Sequence, residues 1–340
     1  MRITIKTIAE AANVSRGTVD KVLHDRLGVS EDVREKVKKI TEEMEYKVNL
    51  AGRSLAYQKN PIKIGVIILN KEDSLFAEIH EGTKHAYDEL KNSGIKVVYS
   101  VMESVNADEQ LRCIKELVKK NIKGLALPPI DEEIIRVELN KLSKKNIKII
   151  TFNTDMFGIE RLCFVGQDSI KSGRVAGQLM GKLLPQGGNV AIITGPAKLK
   201  GLDERKKGFE EILKREYSNI KIIDWVEILN DKEAPYLKTM EFFKKYSNLN
   251  GIFITGRGID GVAKAIHELN KKDIKFICFD LISETIGFIK DNTIDFTITQ
   301  EPFMQGYLSV KIFFDYFFQD KLPYKEYIYT KLEIKTKESI

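Results

Sequence analysis

Ser15-Arg16-Gly17-Thr18, with Lys21 a turn further on, sets a planar bidentate cation, a bare backbone and two hydroxyls at the leading end of a short helix. An arginine placed there can grip O6 and N7 of a guanine in the major groove, and glycine lets backbone come close to a duplex. The hydroxyls of Ser15 and Thr18 reach phosphates, while Lys21 reaches a base or the backbone. The same residues also read as the solvated face of an ordinary helical hairpin. A second pattern points to different chemistry. Gly256-x-Gly258-x-x-Gly261 follows an apolar run and precedes a helix, and Asp280 ends the next run about 20 residues on, as in a dinucleotide fingerprint. A third pattern fails on spacing: His80 and His85 in HEGTKH cannot share a helix face as zinc ligands at i and i+4 do. No metal, no cofactor and no catalytic group is expected, so the chain reads as a non-enzyme.

The elements that must position these residues are of two kinds. Up to about residue 60 the periodicity is helical. Ile8, Ala9 and Ala12 share one face, Asn13 breaks the run, and Ser15 is a good N-cap for a second helix carrying Val19, Val22 and Leu23 at i, i+3 and i+4. A third helix starts after Ser30, with Glu31 and Asp32 in its first turn, and runs through Val33, Val37, Ile40 and Met44 to about Tyr46. This predicts an all-α helix-turn-helix headpiece over 1–47, then a hinge or linker over 48–61 that ends at Pro61.

Beyond it the texture changes. Runs such as IKIGVIIL, IKGLAL, IKIITF, NVAIIT, GIFIT and IKFICF alternate with amphipathic helices, which argues for parallel sheets covered on both faces. Some 280 residues exceed one such sheet, so the expected fold is α/β in two lobes. We expect lobe 1 over about 62–160 plus 293–320 and lobe 2 over about 161–292 plus 321–340. Ligands of open α/β sheets lie beyond the carboxyl ends of the strands.

A net charge of +6, with 43% hydrophobic and 31% charged residues, describes a globular chain whose bulk charge alone does not announce a nucleic-acid binder. MRITIKTIAEAANVS lacks the apolar h-region of a signal peptide, and no later run is long enough to span a bilayer. The expected location is the cytoplasm, with no membrane partner. Cys113, Cys163 and Cys278 stand far apart and read as reduced, buried thiols.

IKTIAEAANVSRGTVDKVLHDRLGVSEDVREKVKKITEEMEYKVN resembles, in register, the headpiece of the lactose-repressor and galactose-repressor (LacI/GalR) family. The matching residues are Ile8-Ala9, Val14-Ser15, Thr18-Val19, Val29-Ser30, Arg34 to Val37 and Tyr46 to Asn49. The resemblance implies that Arg16, Gly17 and Lys21 occupy base-reading positions, with Ser15, Thr18 and His24 near phosphates or neighbouring bases. It further implies a hinge helix that folds on DNA and wedges Leu55 into the minor groove. Val48 and Gly52 depart from the family's proline and alanine, which makes that helix harder to form unaided.

The larger part is similar to periplasmic sugar-binding proteins, type I, through IGVIILN, IITFNTD, CFVGQDSIKSGRVAGQLMG, ITGPAKLKGLDERKKGFEE, FICFD and FTITQEPFMQG. Carried over by position, the ligand-binding residues are Asn70, Phe76, Asn153, Asp155, Arg205, Asp280 and Gln300. Amides and carboxylates would pair with vicinal hydroxyls, an arginine would bridge two oxygens, and an aromatic ring would cover an apolar sugar face. Each also has a structural alternative: Phe76 as core, Arg205 in a pair with Glu204 or Asp203, Asp280 as a cap. Where the family often has an Asn-Asp pair, this chain reads Thr255-Gly256-Arg257. Thr255 is taken as the ligand-facing residue, and Arg257 raises the expectation of an acidic or phosphorylated sugar.

The implied function is a sequence-specific DNA-binding transcription regulator, a repressor controlled by a small ligand in the interlobe cleft. The implied partners are a pseudo-palindromic double-stranded operator, a sugar-like effector and a second copy of the chain. Two alternatives stay open: an NAD(P)-dependent enzyme using the 256–261 glycine loop, and a transport-type sugar-binding protein.

Overall fold

The computed structural model describes residues 3–23, 28–44, 54, 57–58, 60–70, 74–229 and 233–340. Helix α1 (Ile5–Ala12) starts at Thr4, whose hydroxyl accepts from the Thr7 amide while the Thr7 hydroxyl accepts from the Thr4 amide. It stops at Asn13, which takes the left-handed conformation at φ 55°. Ser15 Oγ then accepts from the Thr18 amide at 3.0 Å and caps α2 (Arg16–Leu23). The third helix, α3 (Glu31–Glu43), carries Glu31 and Asp32 at the positive end of its dipole. Ile8, Ala9, Ala12, Val19, Val22 and Val37 form the shared core, with Leu23, Val33, Ile40 and Met44 packed around it. The third helix ends slightly earlier than its spacing suggests, at Glu43, with Met44 as its cap. His24, Leu55 and most of 48–61 lie outside the described residues.

The rest folds around two six-stranded sheets. The first holds β1 (Ile62–Leu69), β2 (Ile95–Met102), β3 (Gly124–Leu127), β4 (Lys148–Phe152), β5 (Cys163–Gly166) and β11 (Tyr327–Tyr329), ordered β11-β5-β4-β3-β1-β2. The second holds β6 (Gly188–Thr194), β7 (Ile220–Glu227), β8 (Leu249–Ile254), β9 (Lys275–Phe279), β10 (Phe296–Thr299) and β12 (Glu333–Lys335), ordered β12-β10-β9-β8-β6-β7. Every pairing is parallel except β12 on β10.

Helices α4 (Ser74–Leu90), α5 (Ala107–Lys119), α6 (Glu133–Lys144) and α12 (Pro302–Gln319) accompany the first sheet. The second carries α7 (Ser169–Leu183), α8 (Lys200–Glu216), α9 (Ala234–Lys245), α10 (Ile259–Glu268) and α11 (Ser283–Lys290). Burial on both faces explains the near-continuous apolar runs. Along β6, Val190 and Ile192 join one core cluster while Ala191 and Ile193 join the other. Phe313, Phe314 and Phe318 bury α12 against the first lobe. All three cysteines are buried and free; burial pushes the Cys163 and Cys278 thiols up to about 12. Trp225, on the edge strand β7, lies half exposed beneath the Lys206 ammonium at 4.0 Å from its ring.

The division of the chain between lobes differs from the one expected. Cys163–Gly166 and Tyr327–Tyr329 belong to the first sheet, and Phe296–Thr299 to the second. The chain crosses between lobes only after β5, β10 and β11, because each strand finishes pairing with its own sheet before the backbone leaves. An edge left unpaired would expose a row of amides and carbonyls. The three crossings form the hinge.

Candidate functional site

Between the lobes lies a cavity of about 380 Å³, lined by loops at the carboxyl ends of strands from both sheets. Of the eight residues expected to bind ligand, Asn70, Phe76, Asn153, Arg205, Asp280 and Gln300 line it. Asn70 follows β1, its amide donating to the Met102 carbonyl at 2.7 Å. Phe76, in the first turn of α4, is 4% exposed and joins the first-lobe core as well as the cleft wall.

Three of these residues are wired together across the hinge. Asn153 Nδ2 donates to Gln300 Oε1 at 3.2 Å, and Gln300 Nε2 donates to Asp280 Oδ1 at 2.7 Å. Asn153 and Asp280 both hold the left-handed conformation, at φ 62° and 67°, just past the ends of β4 and β9. These residue types tolerate it, and it turns each strand end sharply at the cleft. Gln305 Nε2 secures Gln300 from α12 through bonds of 3.0 and 3.2 Å, to its carbonyl and Oε1 respectively.

Arg205 is delivered by helix packing. Gly173 and Gly177 of α7 and Gly208 of α8 let the two helices touch backbone to backbone; a Cβ at Gly173 would stand 2.1 Å from the Arg205 carbonyl. The guanidinium is buried and lies 3.7 Å from the Phe279 ring centroid. Its Nη1 donates to the Thr255 carbonyl at 2.8 Å and its Nη2 to Gln167 Oε1 at 3.3 Å, while Nε has no partner. Burial depresses its pKa to about 10 against the opposing pull of Asp280, so it remains a cation at neutral pH. The Nε itself is sealed from the cavity, but Arg205 forms part of its wall, and a buried cation there favours a ligand oxygen beside it.

Two expected ligand residues do not reach the cavity. Asp155 is buried and accepts from Arg161 Nε and Nη2 at 2.9 and 2.7 Å and from the Thr151 hydroxyl at 2.6 Å. Its oxygens are committed to that ion pair because Arg161, itself only 5% exposed in its side chain, needs a countercharge. Thr255 is fully buried; its hydroxyl lies 3.0 Å from that of Thr194 on the neighbouring strand, and only its carbonyl serves the site, through Arg205.

Gln110, Glu103 and Asp260 of the lining, and Gln167 behind it, were not singled out from the sequence. Gln110 is wholly buried on α5, donating to the Pro128 carbonyl and accepting from the Ile130 amide, both at 2.9 Å. Gln167 braces Arg205 and donates to the Thr299 carbonyl at 2.8 Å. Glu103 and Asp260 add acid to the wall, and Arg257 is an exposed rim residue 5.8 Å from the Phe76 ring centroid. Two arginines therefore face three carboxylates, and Glu78 stands close enough to Asp280 that its own pKa is raised, by partial burial first and that charge second.

The glycine-rich loop after β8 opens on this cleft, but its glycines are filled from within. Added Cβ atoms at Gly258 and Gly261 would meet Pro235 at 2.2 Å and the Tyr236 amide at 2.9 Å, and one at Gly256 would meet Leu202 at 2.9 Å. His80 stacks edge-on to Tyr99, and His85 pairs with Glu89 at 3.1 Å. In the headpiece, Ser15, Arg16, Gly17 and Lys21 are exposed along α2, and Thr18 is half-buried. The Ser15 and Thr18 hydroxyls lie 2.9 Å apart.

Comparison with known proteins joins the two parts. Residues 4–49 match the description "Bacterial regulatory proteins, lacI family", and residues 64–319 match "Periplasmic binding protein domain". The ribose operon repressor of Lactococcus lactis is 27% identical over 287 residues, spanning 82% of this chain and 80% of that protein. The HTH-type transcriptional regulator MalR of Streptococcus pneumoniae is 26% identical, spanning 84% and 86%. Among solved structures, GanP, a glucose-galactose binding protein from Geobacillus stearothermophilus, is 25% identical with a TM-score of 0.76, covering 83% of this chain and 99% of that one. These relatives are regulators and sugar binders rather than enzymes. A capped three-helix unit ahead of a two-lobed ligand cleft thus joins a lacI family DNA-binding unit at residues 4–49 to a larger part that belongs to the periplasmic binding protein domain family.

Proposed function

We propose that this ligand-controlled DNA-binding regulator is a cytoplasmic repressor that grips a pseudo-palindromic operator as a homodimer, and that a neutral sugar in the cleft sets how firmly. The observation that carries the ligand assignment is the buried Arg205 cation in the cavity wall together with the Asn153–Gln300–Asp280 chain. Together these offer a donor, an acceptor and an amide to adjacent hydroxyls, with Phe76 as an apolar wall. The charges weigh against an acidic or phosphorylated sugar: Arg257 sits at the rim, and the carboxylates outnumber the arginines. The relatives named for ribose and for glucose and galactose support the same class of ligand.

Arg16, Gly17 and Lys21 would read bases, with Ser15, Thr18 and His24 near phosphates and Leu55 in the minor groove. One short headpiece buries little surface, so two copies on a two-fold site gain through effective concentration. The sugar acts by binding one arrangement of the lobes better than the other.

The test is a gel shift on the DNA upstream of the neighbouring genes, across salt and a panel of neutral, acidic and phosphorylated sugars, with melting curves on the same panel. Expected are a steep salt dependence and one or a few neutral sugars that both shift melting and change DNA affinity. Equal, weak binding to operator and random duplex in every condition, or a melting shift with NAD, would overturn the reading.

A further inference from the structure

The lobes meet at a second place besides the hinge. Residues 198–201, at the entry to α8, reach from the second lobe onto the first. The Asp131 amide donates to the Lys198 carbonyl at 2.9 Å, and the Gly201 amide donates to Thr154 Oγ1 at 3.1 Å. The Lys198 ammonium pairs with the Glu132 carboxylate, Leu199 packs on the first-lobe core, and the Lys200 ammonium stands 3.4 Å from the Phe157 ring centroid. The receiving surface is organised in advance. Arg136 pairs with Asp131 and Glu133 and donates its Nε to the Phe157 carbonyl at 3.0 Å, so Glu132 is left to meet Lys198.

The position of these contacts gives them their meaning. In the first sheet β3, which leads into Asp131 and Glu132, lies two strands from the hinge strand β5; in the second, β6 lies three strands from the hinge strand β10. At the usual strand spacing these are lever arms of roughly 10 and 14 Å, so each 10° of opening separates Lys198 from Asp131 and Glu132 by roughly 2 Å; Thr154 and Phe157 follow β4, one strand from the hinge, and part from their partners by roughly half as much. An opening of a few such steps takes every one of these bonds out of reach.

We infer that residues 198–201 form a closure clasp, which exists only when the lobes are shut and fixes the fraction of molecules that are shut before ligand arrives. The inference rests on the reading of the cleft as an effector site, because an apparent dissociation constant scales inversely with the closed, competent fraction. The clasp also holds the start of α8, and Arg205 stands one turn further along that helix. The Lys198–Glu132 pair is its removable part: both side chains reach solvent, so substitution there leaves the cores intact.

The experiment uses the full chain in four forms: wild type, Lys198→Glu, Glu132→Lys and the double swap. Hydrogen exchange without sugar reads the Asp131 and Gly201 amides, and calorimetry reads the dissociation constant of whichever panel sugar binds the wild type. An exposed pair of this kind biases closure about two- to five-fold, and reversal adds repulsion. Each single variant is expected to exchange both amides faster and to bind sugar about three- to ten-fold more weakly, and the swap to recover most of both. Single variants within two-fold of wild type, or a swap that recovers neither, would overturn the clasp. Should no sugar bind the wild type, the effector reading fails by itself; faster exchange in the single variants then still supports the clasp, and unchanged exchange still refutes it.

Discussion

Replacing Arg205 by methionine should separate binding from folding. Arg205 is 5% exposed, and its pKa falls from 12.5 to about 10, chiefly through burial. At 1.36 kcal/mol per unit, that depression is an uncompensated cost to the folded state of about 3 kcal/mol. The sign follows from linkage: between about 10 and the ordinary arginine value the unfolded chain holds more protons, so the cost is full below about pH 10 and fades above it. Methionine keeps most of the stem against Phe279 and removes the charge. It also strands the Thr255 carbonyl and Gln167 Oε1, which accept from Nη1 and Nη2. Each stranded acceptor costs about 1–3 kcal/mol, so loss and relief nearly cancel.

The variant should therefore melt within about 5 °C of wild type, since 1 kcal/mol moves a domain of this size by about 2–4 °C. Effector binding should not survive as well. One or two charge-assisted bonds to sugar oxygens contribute about 1.5–3 kcal/mol each, so affinity should fall at least ~10-fold and up to roughly 20,000-fold. Scanning calorimetry and titration calorimetry on one preparation make the comparison. A melting point lowered by more than about 10 °C, with sugar affinity within three-fold of wild type, would make Arg205 a keystone of the second lobe and refute the argument.

Arg16→Ala should cost about 1–3 kcal/mol of operator affinity and relax discrimination at one base pair per half-site; uniform weakening across all sequences in a gel shift would demote Arg16 to a phosphate contact. Asp155→Asn leaves buried Arg161 with only the exposed Glu326 carboxylate, 3.3 Å away, as countercharge and should destabilise the first lobe by about 2–4 kcal/mol; a loss of sugar affinity at unchanged melting temperature would restore Asp155 to the ligand. Glu78 has a raised pKa, so its ionised form opposes the fold once the pH exceeds the usual glutamate range. Glu78→Gln should accordingly melt higher than wild type at pH 7 and lose that advantage below that range, as followed by melting curves across pH.

How much of this was legible depends on whether a residue's partner is close in sequence. The headpiece helices were, because Thr4, Asn13 and Ser15 act within one turn of themselves. The apolar strands were, because burial on both faces leaves one composition. The lobe boundaries were not: β5, β10 and β11 are assigned by strands far along the chain, and nothing in CFVG or FTIT says which sheet will accept it. Asp155 stood in the right motif, two residues past Asn153, yet its side chain is claimed by Arg161 six positions on. Thr255 contributes a carbonyl, which no side-chain pattern records. Gln110 had a readable signal, a polar residue inside the apolar stripe Ala107, Ile114 and Leu117.

The glycine loop shows the limit most clearly. Its spacing satisfies the dinucleotide rule, and the aspartate falls where ribose would need it. What separates the readings is the occupant of the space that each glycine leaves, and here Pro235, Tyr236 and Leu202 hold it. Their approach comes from α8 and α9, elements that no local pattern around residue 256 describes. The Asp280 carboxylate, meanwhile, accepts from Gln300, which in turn accepts from Asn153 of the other lobe, and lies in the field of Arg205. A fingerprint defined by one βα turn cannot carry that information, so its match to this chain describes backbone economy at a tight turn rather than the chemistry of the site.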